Sequence, residues 1–104
     1  MKLQLESRIA LVTGASKGLG RAITQTLAEE GCHLILVARG EAALNETADA
    51  IAQQGFSRPR VLPCDLLRRD AATYLCEAIV SDGGMLPDIL INNAGGSRPF
   101  DGLG

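Results

Sequence analysis

The sequence predicts an α/β fold, a parallel sheet with helices on its faces in the order βαβαβαβ. Three observations lead there. Short apolar runs alternate with helix-periodic segments along the chain. The runs "IALV", "LILV" and "ILI" are continuous rather than alternating, as in strands buried on both faces. Gly31 and Gly55 follow the first two helical segments, where a left-handed residue ends a helix.

Taken in order, "RIALVTG" reads as a buried first strand ending on a glycine. "LGRAITQTLAEEG" spaces Leu19, Ile23 and Leu27 four apart, one helical stripe. "HLILVA" is the second strand. "EAALNETADAIAQQG" puts Leu44, Ala48 and Ile51 on one helical face. "RVLPC" is a short third strand, and Pro63 marks its end or an edge position, since proline gives the ladder no donor. "DAATYLCEAIVSDGG" carries Ala72, Leu75 and Ile79 at helical spacing, with Asp70 a candidate N-cap. "DILIN" is the fourth strand. Successive parallel strands joined through helices require right-handed crossovers. No repeat, linker or low-complexity segment divides the chain.

Composition narrows the function. The 104 residues carry a net charge of -2 and are 46% hydrophobic, suiting one soluble globular domain. Mild acidity argues against nucleic acid, which wants a basic face, and 3% aromatic residues leave little to stack on bases. Cys32, Cys64 and Cys76 form no CxxC pair, so they read as three reduced thiols, two of them in apolar surroundings, and not as a zinc site. "MKLQLESR" lacks the apolar core of a secretory signal, and no apolar stretch approaches the ~20 residues of a membrane span. A cytoplasmic location is the expectation.

The turn from strand one to helix one reads "TGASKGLG". Gly14, Gly18 and Gly20 allow a sharp turn and let another backbone or a phosphate come close. Amide groups at the following helix N-terminus then face an anion. Leu19 offers its backbone N–H there while its side chain enters the core. Turns also need glycine, so a tight turn without ligand is the lesser alternative. It is not a Walker loop, because Lys17 precedes the second glycine and no G-K-[ST] follows. The end of strand two adds to this. Dinucleotide sites commonly place an acidic residue about 20 residues after the loop, on the ribose hydroxyls. Here Ala38 and Arg39 stand at that point. Arg39 attracts a 2′-phosphate that a carboxylate would repel, and Lys17 adds a second positive charge. Either cation alone reads equally well as a solvated surface charge. Together they favour NADP (NADPH) over NAD.

With "CDL" at 64–66 and "NNAG" at 92–95, "TGASKGLG" at 13–20 resembles the motif set of the short-chain dehydrogenase/reductase (SDR) family. The resemblance runs from strand one to just past strand four and implies a Rossmann-like sheet. It implies that Gly14, Ser16, Lys17, Gly18, Leu19 and Gly20 cradle the adenosine ribose and pyrophosphate. Arg39 would contact the 2′-phosphate, Asp65 the adenine amino group, and the Leu66 backbone the adenine edge. Asn92 would steady the sheet by bonding across to the strand-one turn, and Ala94 and Gly95 would line the cofactor's ribose region. Asp65 could instead cap the next helix. Asn93 and Gly96 read as turn and loop formers.

The family's chemistry implies a Y-x-x-x-K pair that donates a proton while NADPH delivers hydride to a carbonyl. Tyr74 is the chain's one tyrosine and Ala78, not lysine, follows at that step. Tyr74 reads as a packing or surface residue on helix three, away from the strand carboxyl ends; lone His33 reads as structural. No catalytic residue and no metal ligand is expected. The resemblance implies a partial dinucleotide-binding domain over 1–104, truncated after strand four and without a catalytic half. The alternatives are a non-catalytic nucleotide-binding or interaction module and an inert folding fragment. In the family's strand order 3-2-1-4-5-6-7, strand four here becomes an edge and one sheet face lacks helices. Self-association through either is expected.

Overall fold

The computed structural model describes residues 7–16, 18–81 and 83–93. Strands β1 (Ile9–Thr13), β2 (His33–Ala38), β3 (Arg60–Pro63) and β4 (Ile89–Ile91) alternate with helices α1 (Gly18–Glu29), α2 (Glu41–Gln53) and α3 (Ala71–Ser81). All pairings are parallel, in the order β3-β2-β1-β4. The chain starts at the sheet centre, moves outward to β3, then crosses back to β4 on the other side of β1. That reversal opens a crevice at the strand carboxyl ends, where such sheets bind ligands.

The continuous apolar runs divide between two faces by strand alternation. On one, Ala10, Val12, Leu34 and Leu36 pack against Leu27 of α1 and Leu44, Ala48 and Ile51 of α2. On the other, Leu11, Ile35 and Val37 meet Ala71, Leu75 and Ile79 of α3. The expected α2 stripe is the buried one, and Pro63 ends β3 on the sheet edge. In the other two stripes Leu27, Leu75 and Ile79 are buried as expected, and one member of each is not. Leu19 was expected in the core but is 66% exposed. The buried line of α1 runs through Gly20, Thr24, Leu27 and Ala28. One residue is roughly 100° of helix, so a Gly20 that faces the sheet turns Leu19 away from it. In α3, likewise, Ala71 is buried and Ala72 exposed.

All three helices end on glycines with positive φ: Gly31 (87°), Gly55 (95°) and Gly83 (79°). After α1 and α3 the bonds close both rings of a Schellman cap: Cys32 N to Leu27 O with Gly31 N to Ala28 O, and Gly84 N to Ile79 O with Gly83 N to Val80 O. Arg60 adds a side-chain cap to α3, donating from its guanidinium to the carbonyl oxygens of Ala78 (2.7 Å) and Ile79 (3.3 Å) in its last turn.

Candidate functional site: the carboxyl ends of the strands

Hydrogen bonds at the strand ends gather the residues that the motifs single out. Gly14 N donates to Val37 O at 2.8 Å, which sets the glycine loop against the end of β2, two residues before Arg39. Cys64 N donates to Ala38 O at 2.9 Å and brings Asp65 to the same end. From β4, Asn93 N donates to Thr13 Oγ1 at 2.8 Å and Asn93 Nδ2 to Gly14 O at 3.4 Å. One rim therefore holds the loop, Arg39, Asp65 and the asparagines.

Three glycines of the loop serve three purposes. Gly14 turns the chain with φ 63°. Gly18 has φ 59° and open space where a Cβ would stand, so its backbone is approachable from outside. Gly20 needs no unusual φ: a Cβ there would overlap the Gly14 carbonyl oxygen and stand 2.8 Å from Asn93 Nδ2. It permits α1 to seat on β1. Since α1 starts at Gly18 and has no acidic side chain in its first turn, nothing there opposes an anion at its positive end.

Arg39 is exposed, Ser16 and Asp65 are half-buried, and Leu66 packs against the α3 side of the core. Lys17, Ala94 and Gly95 lie outside the described residues, as does Gly96. Asp65 does not cap α3, which starts six residues later: its Oδ1 accepts from Leu67 N at 2.9 Å, a local Asx turn. Asn92 takes a bond from Thr13 Oγ1 (3.1 Å) and so ties β4 to the strand-one turn. Asn93, read from sequence as a turn former, makes the direct bonds to the glycine loop. A signal for it existed. Thr13 is a hydroxyl at the end of an otherwise aliphatic strand, is 4% exposed, and needs partners.

Tyr74 is closer to this rim than its place on helix three suggested. It lies in the first turn of α3, which leaves the carboxyl end of β3, and the Arg68 guanidinium sits 5.3 Å from its ring centroid. Arg68 also grips Asp70 with two bonds of 3.0 and 2.8 Å. That hydrogen bond to Arg68 holds the Asp70 carboxyl below its ordinary value. Asp70 stands just before α3, and its backbone oxygen accepts from Tyr74 N at 2.8 Å. Burial raises the Cys64 thiol, which Asp65 and Asp70 reinforce against Arg68; burial also raises Cys32. Among the described residues no group of His, Cys, Asp and Glu could hold a metal, and no helix is long and apolar enough to cross a membrane. A separate groove of about 450 Å³ between α1 and α2 includes Gly18 but not Arg39, Asp65 or Asn92.

The family model for short chain dehydrogenases matches residues 8–102. The chain belongs to that family. Among curated short-chain dehydrogenase relatives, a fatty acyl-CoA reductase of Acinetobacter baylyi is 41% identical over 93 residues, 89% of this chain and 31% of its own length. A rhamnolipid-biosynthesis 3-oxoacyl-[acyl-carrier-protein] reductase of Pseudomonas aeruginosa is 40% identical over 89% of this chain and 35% of its length. Among solved structures, L-sorbose reductase of Gluconobacter frateurii, complexed with NADPH and L-sorbose, superposes with TM-score 0.81 at 34% identity. That match covers 91% of this chain and 36% of the reductase. The P. aeruginosa RhlG/NADP active-site complex gives 0.78 at 36% identity, over 93% of this chain and 38% of RhlG. The chain thus spans about a third of the relatives it matches, and the parallel Rossmann-like sheet is common to them.

Proposed function

We propose that this chain is the cofactor-holding part of an NADP-dependent short-chain oxidoreductase and prefers NADPH to NADH. The observation that supports the proposal is the bond from Gly14 N to Val37 O, which holds the glycine loop to the end of β2, two residues before exposed Arg39. NADPH- and NADP-bound relatives with the same strand arrangement support it.

The residues present fit such a group. Open space at Gly18 admits a pyrophosphate to the loop backbone, and the first amides of α1, including those of Leu19 and Gly20, point toward it. Ser16 and Lys17 complete the cradle. Arg39 takes the 2′-phosphate as a bidentate donor. The second oxygen of Asp65 accepts from the adenine amino group beside the Leu66 backbone, while Asn92, Ala94 and Gly95 border the ribose on the β4 side. When bound, the dinucleotide supplies a hydride for exchange with a carbonyl or alcohol. The chain's own residues bind and orient it; with Ala78 four places after Tyr74, no tyrosine–lysine pair completes the proton transfer. Free Cys32, Cys64 and Cys76 support a cytoplasmic setting.

Fluorescence titration with NADPH, followed by displacement with 2′,5′-ADP and with 5′-AMP, tests the reading. Displacement by 2′,5′-ADP at concentrations at least tenfold lower than 5′-AMP is expected from one charge-assisted bidentate contact. Equal displacement by both would remove the role given to Arg39.

A further inference from the structure

Building on the cofactor reading, we infer that Arg21 is a further specificity-determining residue: from one turn into α1 it lends its charge to the phosphate end of the cofactor that Arg39 reads. α1 begins at Gly18, so Arg21 is its fourth residue. A cation there faces the positive end of the helix dipole, the less favourable end for it. No neighbour on the helix offsets the charge: Gly18 precedes it by three, and Thr24 and Gln25 follow at three and four. Arg58, Arg60 and Arg68 each bond to a carboxylate or to helix carbonyls. No hydrogen bond or ion pair engages the Arg21 side chain among the described residues. An uncompensated charge at that end is a local conflict in the sequence, and a bound anion resolves it. The place of the side chain says which anion. Gly18, Arg21 and Gln25 face Thr47, Ile51 and Gln54 across the groove of about 450 Å³ between α1 and α2. The two glutamines close one end of it, each amide donating to the other, at 2.7 and 2.9 Å. Among the described residues that line the groove, Arg21 is the one charged group. Helical side chains lean toward the N-terminus of their helix, so the Arg21 stem runs toward Gly18 and the glycine loop. The opposite wall, α2, is the helix that Arg39 and Gly40 lead into. Arg21 thus stands between the loop that faces the pyrophosphate and the helix that follows Arg39. The groove reaches neither Asp65 nor Asn92, so the charge serves the phosphates and not the adenine.

The test uses the full chain with Arg21→Gln, which removes the charge, Arg21→Lys, which keeps it, and Arg8→Gln, an equal charge change before β1 at the opposite end of the sheet. NADPH and NADH affinities are read by calorimetry at low and at high salt, and stability by urea unfolding. Arg21→Gln should weaken NADPH roughly threefold at low salt, the scale of an exposed charge pair, and weaken NADH less. High salt should shrink the difference, because exposed charges are screened. Arg21→Lys and Arg8→Gln should keep the wild-type ratio of affinities. The urea midpoint of Arg21→Gln should not fall, since the substitution relieves the conflict with the helix dipole. In a chain that prefers NADPH, a ratio unchanged by Arg21→Gln, an equal fall in Arg8→Gln, or a lowered urea midpoint would overturn the proposal alone. A wild type with no preference for NADPH would end the cofactor reading, and the proposal with it.

Discussion

Gly18 and Gly20 are two residues apart, yet their substitution should act through different physics. Gly20→Ala drives a methyl into the Gly14 carbonyl, and overpacking of this kind should lower stability by about 1–3 kcal/mol in urea unfolding. Gly18→Ala meets open space and carries only the left-handed strain, about 1–2 kcal/mol. The thiols differ as sharply. Cys32 and Cys64 are buried with raised pKa values, whereas Cys76 is exposed on α3. Brief alkylation of the native chain at neutral pH should label Cys76 first; equal labelling of all three would contradict the packing. Asp70 gives the pH test. Its folded pKa lies below the ordinary 3.8, so its pairing with Arg68 stabilises above that value and is lost as pH falls through the lower, folded one. Acid unfolding of wild type and Asp70→Asn should therefore diverge near neutrality and converge at the acid end. At this scale the place of Arg39 was legible from sequence, because it directly follows the apolar run of β2. Asn93 was not: adjacent asparagines look alike until the β1–β4 register shows which one reaches Gly14.

Helix boundaries were readable because glycine is the residue that tolerates the left-handed turn ending each helix. Helix faces were less so. Gly20, Thr24 and Thr47 are buried, and a hydrophobic count does not see them; Leu19 and Ala72, the first members of the expected α1 and α3 stripes, are exposed. Arg60 was invisible for a related reason, since a cation in a strand reads as solvated until its tip is found on another element's carbonyls. Arg60→Leu keeps the stem and deletes those bonds. It should cost about 1–2 kcal/mol in chemical denaturation and loosen exchange at the end of α3 before the rest of the chain. Asp88 pins the start of β4 in the same manner, its backbone N–H on Ile9 O and its Oδ2 on Ile9 N, which fixes the register that delivers Asn93 to the loop.

For the whole molecule, the strand order 3-2-1-4 puts β4 at an edge among the described residues, and it is only three residues long. Leu90 pairs with Leu11 and so points to the α3 side, yet it is 65% exposed, with Val80, Met85 and Leu86 also more than half exposed. A parallel strand with an open edge and an uncovered leucine favours association of chains. Sedimentation equilibrium should show concentration-dependent self-association that Leu90→Lys weakens; a monomer at all concentrations would count against it. The parallel sheet was legible from alternation and crossover handedness, whereas the order 3-2-1-4 followed only from the family resemblance. An uncovered face was expected from the resemblance, but not that Leu90 would lie on it, because an apolar run does not say which of its side chains share a face. The central claim is that the rim at the strand carboxyl ends holds NADPH through Arg39. Calorimetric titration of wild type and Arg39→Asp with NADPH and NADH tests it most directly. The account predicts tighter NADPH binding by wild type and a preference reversed by Arg39→Asp. Identical affinities for the two cofactors in wild type, or a preference that survives Arg39→Asp, would contradict it.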